Sequence, residues 1–291
     1  MSGAALMFPV MNGFAKYLAA EYPVAQVIWG RNLGHLLFVL ALFAPRRGVV
    51  GLLRSQRPLI QICRSLLLLA ATALMFVGIK FIPLANATAI IFTAPLIVTV
   101  LSVFILREHV GMPRWIAVLV GFAGTLIVIR PGGELFHWAA FLIVGSATSY
   151  ALYQVLTRRI AGFDSPETTV TYSALVGTIL ISLLVPFDWK TPDDLLDIAM
   201  FGGMGLIGGI GHYCIARAMA LAPASIVSPF NYLQILGAVA FGWFVFADFP
   251  DLWVWVGSGI IVASGLFIVW RETRRKQPTA VAAISVPASN P

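Results

Sequence analysis

This chain reads as an all-α polytopic membrane protein: ten transmembrane helices, arranged as two inverted five-helix repeats, with both termini in the cytoplasm. Three observations lead there. The 291 residues are 59% hydrophobic and 11% charged, with a mean hydropathy of +0.91, whereas soluble domains carry roughly 25% charged residues. The apolar sequence divides into ten runs of about 20 residues, the length that crosses roughly 30 Å of hydrocarbon. The second half also lies over the first at an offset of 140 residues without a gap: Pro83 on Pro223, Leu96 on Leu236, Phe104 on Phe244, Trp115 on Trp255, Ala123 on Ala263, Leu126 on Leu266, and Glu108 on Asp248.

The runs fall near 2–20, 23–44, 58–80, 84–106, 112–130, 135–157, 167–186, 196–220, 224–246 and 252–270. Proline disfavours helix in the residue before it and so marks the short joins. These are Glu21-Tyr22-Pro23, Ile82-Pro83 and Leu221-Ala222-Pro223; the long connections are 45–57 and 187–195. The first repeat is 1–134 and the second 135–276. The Ala/Pro/Ser tail 277–291 has no apolar periodicity and is expected to be disordered. Each repeat holds an odd number of spans, so the two enter the bilayer in opposite directions. Inverted repeats of this kind place a solute site at their interface near the midplane.

Orientation follows from Lys and Arg, which are enriched in cytoplasmic loops. With the amino terminus inside, the inner loops hold Arg46, Arg47, Arg54, Arg57, Arg107, Arg114, Arg158, Arg159 and the cluster Arg271, Arg274, Arg275, Lys276. The outer loops hold Lys190, with Lys80 and Arg130 at their edges. Outside also gather Glu21, Glu134, Asp188, Asp193, Asp194, Asp197, Asp248 and Asp251. The net charge of +7 therefore reports orientation, not nucleic-acid binding. Cys63 and Cys214 lie in apolar runs and are expected to be small core thiols, not a disulfide or a metal site. The first apolar run lacks the basic leader and cleavage site of a signal peptide.

Each half ends in the same pattern: a proline, an apolar helix, an acidic residue and a glycine-rich last helix. It runs from Ile82-Pro83-Leu84-Ala85 through Glu108 to Gly121 and Gly124, and from Ala222-Pro223-Ala224-Ser225 through Asp248 to Gly265, with Asp248 where Glu is more usual. With ten helices in two halves, and Arg31 in the second, the chain resembles the drug/metabolite transporter superfamily, EamA type, over nearly its whole length. The aromatic-rich interior is most similar to the YddG-type aromatic amino-acid exporters. The resemblance implies a ten-helix transporter.

Polar side chains within spans are costly and mark candidate sites. In the sixth run Ser146, Ser149, Tyr150, Tyr153 and Thr157 share one face at helical spacing. Phenol rings can stack on an aromatic solute while hydroxyls bond its polar end; a helix–helix contact is the competing reading. In the ninth run Ser228, Asn231, Tyr232 and Gln234 follow Pro229, which removes a backbone donor and can kink the helix. The first run carries Phe8, Pro9, Asn12 and Lys16: Asn12 is expected inside, Lys16 to snorkel, and Phe8 with Pro9 to shape or gate the path. Arg31 and His35 share a face of the second run, and Arg31 serves either as an anchor or as an anion site. Met75, with Thr72, Phe76 and Ile79, is either an adaptable cavity wall or a packing stripe. Arg64 and Arg217 are expected to snorkel. His212 ends a glycine-dense stretch (Gly202, Gly203, Gly205, Gly208, Gly209, Gly211) and is either a structural histidine or a proton carrier.

No Asp or Glu stands clearly inside a run, so transport by facilitation or exchange is expected over proton coupling through an embedded carboxylate. The expected function is export of small amphipathic metabolites across the inner membrane. Aromatic and other neutral amino acids are the favoured substrates, carried by alternating access through a midplane cavity. A broad multidrug or other-metabolite exporter is the alternative. There is no HExxH, no credible Ser/His dyad and no embedded Asp pair, so the chain is not expected to be an enzyme. The inverted repeat also fits alternating access better than a channel. No cofactor, metal or nucleic acid is called for; the expected partners are a small-molecule substrate and the lipid bilayer, with the monomer as the working unit.

Overall fold

A computed structural model describes residues 2–105, 111–130, 137–222, 224–227, 230–231, 234–247 and 249–275. The described residues form twelve α-helices, with a 3₁₀ turn over Val185–Phe187. The helices are α1 (Ser2–Glu21), α2 (Val24–Leu53), α3 (Pro58–Gly78), α4 (Leu84–Ile91), α5 (Ala94–Ile105), α6 (Met112–Ile129), α7 (Ala139–Ile160), α8 (Pro166–Ser182), α9 (Leu195–Leu221), α10 (Ala224–Val227), α11 (Gln234–Phe246) and α12 (Leu252–Arg275). Among the described residues, six segments are long and apolar enough to cross a membrane: α2, α3, α4 with α5, α7, α8 with the 3₁₀ turn, and α9. Glu108, Glu134, Pro223, Asp248 and the tail from Lys276 onward lie outside the described residues.

Local chemistry sets the helix boundaries. Pro58 and Pro166 open α3 and α8 at positions where a missing N–H costs nothing. Ser165 caps α8 by accepting from Thr168 N at 3.2 Å, and Asp194 caps α9 by accepting from Leu196 N at 3.0 Å. The run 84–106 is one segment in sequence but two helices in space. Pro95 in the first turn of α5 cannot donate back along the chain, and Thr93 Oγ1 instead caps the carbonyl of Ile90 at 2.8 Å. The connection expected over 45–57 is shorter than the sequence suggests. Helix continues through Pro45 to Leu53, and Gly48, at φ +70°, supplies the bend.

Helices from the two halves interlock in matched pairs. α3 packs on α7 as α9 packs on α1, α5 on α7 as α11 on α1, and α8 on α3 as α2 on α9. Glycine permits the closest crossings. A Cβ on Gly205 of α9 would stand 2.4 Å from the Cα of Gly34 on α2, and one on Gly257 of α12 would stand 2.6 Å from the carbonyl oxygen of Gly124 on α6. The core gathers Phe8, Met11, Leu18, Met75, Phe76, Ile143, Val155 and Met204 along the seam between the halves. Large apolar side chains are instead exposed around the outside, Phe104, Leu119, Phe141, Leu221 and Phe244 among them. A soluble monomer rarely shows so large an apolar surface; lipid covers it here. Cys63 belongs to this outer face: it is exposed, not a core thiol as expected, because its side of α3 turns away from α7.

A central cavity and its arginine

Between the halves lies a cavity of about 590 Å³ of atom-free space, its open mouth included. α1 contributes Phe8, Met11 and Asn12; α3 contributes Leu68, Ala71, Thr72, Met75 and Phe76; α4 contributes Thr88 and Ile91. From the second half come Ser146 and Tyr150 of α7, His212 of α9 and Gln234 of α11. Arg31 of α2 completes the wall. The lining is mostly apolar with a few polar groups, the usual composition of a small-molecule site.

The first helix is set against the second half by glycines. A Cβ on Gly211 would stand 2.8 Å from the ring of Phe8, and one on Gly237 would stand 2.8 Å from Pro9. Phe8 also leans on the His212 ring, with centroids 5.3 Å apart. Pro9 is buried inside α1 and does not touch the cavity. Lys16, further along α1, holds its ammonium 4.8 Å over the Phe246 ring.

Arg31 is 1% exposed. Its Nη2 lies 2.7 Å from His212 Nε2, and its Nη1 donates to Asn32 Oδ1 at 3.2 Å. A guanidinium only donates, so Nε2 of His212 is an acceptor and the imidazole is neutral, with its proton on Nδ1. That proton faces Tyr153 Oη at 3.3 Å. Tyr153 is fully buried, one layer behind the cavity, stacked on Tyr150 with centroids 5.7 Å apart. Of the face expected on the sixth run, Tyr150 reaches the cavity. Ser146 both lines it and donates to the Ala71 carbonyl of α3 at 2.7 Å, while Thr157 turns to Arg64. His35 stacks on His212 at 5.9 Å, and neither of its ring nitrogens has a hydrogen-bond partner among the described residues.

Arg64 does not snorkel. It is fully buried. It donates from Nε to Thr157 Oγ1 at 3.0 Å and from Nη1 to Gln61 Oε1 at 3.0 Å and the Thr169 carbonyl at 2.7 Å. Its guanidinium lies 4.8 Å over the Tyr153 ring. Gln61 in turn donates to Asp164 Oδ2 at 2.9 Å, and Asp164 also accepts from Ser55 Oγ at 2.5 Å and from Gln56 N at 2.8 Å. Sequence reading missed this group because its members meet only in space. The one local signal was Gln61 and Arg64, three apart on α3.

Asn231 is buried and accepts from Gln234 Nε2 at 3.3 Å, leaving its own Nδ2 without a partner among the described residues. Ser228, Pro229 and Tyr232 lie outside the described residues. No carboxylate lines the cavity among the described residues, yet acidic groups are buried at helix ends: Asp164, Glu167 and Asp197. At the end of the bundle that bears the α1–α2 turn, Tyr22 donates to Asp197 Oδ2 at 2.6 Å, and this bond, with burial, raises the phenol to about 12. Lys190 stands over the Tyr22 ring at 5.1 Å, pairs with Glu21 at 3.4 Å, and exchanges backbone bonds with Gln26.

A lipid-exposed helical bundle with a mainly apolar cavity at the seam of two halves is the build of a multi-pass membrane transporter. The chain belongs to the EamA-like transporter family, which matches residues 1–130 and again residues 137–270. It is 31% identical over 279 residues to a riboflavin transporter of Vibrio cholerae, covering 95% of this chain and 94% of that protein. It is 30% identical over 223 residues to an S-adenosylmethionine uptake transporter of Rickettsia conorii, covering 76% and 75%. The pseudopaline exporter CntI of Pseudomonas aeruginosa is 26% identical over 264 residues, covering 90% and 91%. One solved crystal structure superposes with a TM-score of 0.68 at 18% identity, over 96% of this chain and all of its own, which shows the fold alone. These relatives are transporters, not enzymes. They include uptake systems as well as an exporter, so the family sets no direction of flux.

Proposed function

We propose that this protein carries a small, ring-bearing amphipathic metabolite across the inner membrane by alternating access. In this reading the chain crosses ten times with both ends in the cytoplasm. α4 with α5, and α10 with α11, each serve as one broken span. The two matched halves are inverted copies that close in turn on each side of the cavity. The carrying observation is the cavity wall: α1, α3 and α4 of one half face α7, α9 and α11 of the other, with the rings of Phe8, Phe76 and Tyr150 set among the neutral polar groups of Asn12, Ser146 and Gln234. Aromatic rings accept a planar solute, and neutral amides orient its polar end without fixing its charge.

Riboflavin and the aromatic amino acids are the substrates this wall favours. The first is supported by the similarity to a riboflavin transporter and the second by the aromatic lining. The flexible thioethers of Met11 and Met75 would admit further ring systems, which is what favours the broader multidrug reading. The test is uptake of labelled riboflavin, tryptophan and phenylalanine by purified protein in liposomes, with no ion gradient. Saturable flux that falls about tenfold or more in Tyr150→Ala, for a loss of about 1.4 kcal/mol of ring contact, supports the reading. Flux of hydrophobic cations alone would move it to the multidrug class, and no flux of any ring compound would overturn it.

A further inference from the structure

Resting on the amino-acid side of that carrier reading, we infer that the cavity holds a carboxylate subsite at Arg31, which selects aromatic compounds bearing one carboxylate over riboflavin, which has none. The charge of Arg31 is unbalanced among the described residues. Arg31 is buried in the wall, and its acceptors are neutral: the Asn32 amide oxygen and His212 Nε2. Of the five N–H donors of a guanidinium, these bonds use two, and Nε has no partner among the described residues. Among the described residues the ion pairs lie elsewhere, at Arg47–Glu167, Arg130–Asp251 and Lys190–Glu21. An arginine held in low dielectric without a counter-charge is costly, and an arriving carboxylate relieves that cost with charge-assisted, bidentate-capable bonds.

The guanidinium is also built into place, which a lone anchor would not need. Asn32 is oriented by donating Nδ2 to the Ile28 carbonyl at 2.9 Å, and it fits because residue 177 is glycine: a Cβ there would stand 2.7 Å from Asn32 Oδ1. On the other side, His212 is fixed by Tyr153, whose ring carries the Arg64 guanidinium. Tyr153 is thus a positioning residue: its hydroxyl acts on the solute through His212 and Arg31. The ring-bearing part of the solute would lie toward Phe8 and Tyr150, on the same wall.

The test uses the unmodified protein in liposomes and pairs of probes that differ in charge at one group: tryptophan against tryptamine, and indole-3-propionate against 3-ethylindole. Competition against labelled tryptophan is expected to favour the carboxylate member of each pair by about ten- to a hundredfold, the range of one charge-assisted bond, and flux of riboflavin with no competition by any carboxylate probe overturns the subsite. Equal competition by both members, or preference for the one lacking the carboxylate, overturns the subsite and leaves the carrier reading standing. Absence of flux and competition for every ring compound overturns the carrier reading and the subsite with it. Tyr153→Phe keeps the ring over Arg64 and removes only the hydroxyl. It should raise KM for the carboxylate probes severalfold with maximal flux and the carboxylate-free probes unchanged. An equal loss for all probes would assign Tyr153 a purely structural role.

Discussion

Arg31 of α2 and His212 of α9 meet through a 2.7 Å bond between Nη2 and Nε2, although 181 residues separate them in the chain. The bond joins one half of the protein to the other at the cavity wall, and it requires a neutral imidazole. Protonation of His212 would turn its acceptor nitrogen into a donor aimed at a guanidinium. The geometry therefore favours the structural reading of this histidine over a proton carrier.

One consequence concerns proton coupling. His212→Gln retains a side-chain acceptor for Arg31 and should keep most of the flux, whereas His212→Ala leaves a buried arginine short of an acceptor. The alanine variant should lose about 1–3 kcal/mol of stability, seen as a lower melting temperature in detergent. Wild-type flux that is driven by an imposed proton gradient, with that drive lost in His212→Gln, would contradict this assignment.

Asp164 ties the α7–α8 turn to α3 by accepting from Ser55, Gln56 and Gln61. Both carboxylate oxygens accept, Oδ2 from Ser55 and Gln61 and Oδ1 from Gln56 N, so Asp164→Asn must turn an NH2 group toward one set of donors. A loss of about 1–3 kcal/mol is expected, measured by thermal unfolding in detergent. An unchanged melting temperature would show that the turn is held by other contacts.

The glycines of α9 should separate by position, not by number. A Cβ at Gly205 would press on the α2 backbone at Gly34, while one at Gly202 meets nothing within 4 Å. Gly205→Ala is expected to destabilise the protein by about 1–3 kcal/mol through overpacking. Gly202→Ala is expected to be neutral or to stabilise by up to about 1 kcal/mol through helix propensity. Melting curves of the two variants side by side check the contrast.

Tyr22 closes the end of the bundle that bears the α1–α2 turn by holding Asp197 at the start of α9. Its raised proton affinity means that the bond is intact below about pH 10 and weakens as pH rises toward about 12. Tyr22→Phe should reproduce the loss at neutral pH, opening this end more often. Hydrogen exchange of the first turn of α9 is expected to quicken in the variant, and equal exchange in both proteins would count against a closing role.

Much of this could be read from sequence for a plain reason. Apolar runs must match the bilayer, and Pro23 and Pro83 mark where runs begin. Polar residues inside runs flagged Asn12, Arg31, Ser146, Tyr150, His212 and Gln234, and the structure gathers these around one cavity. Burial of Arg64 was not legible, because Thr157 and Thr169, which hold it, lie on other helices. Nor was the helical stretch past Pro45, where Arg46 and Arg47 look like loop residues. Arg47 in fact reaches Glu167 and Ser165 across the bundle.

The most direct test of alternating access is the two-sided reactivity of one cavity position. Asn12→Cys, in a background with Cys63 and Cys214 changed to serine, would be exposed to a membrane-impermeant thiol reagent in right-side-out and in inside-out vesicles. The account predicts labelling from both sides, slowed on both by the transported compound. Labelling from one side only, in every condition, would contradict it.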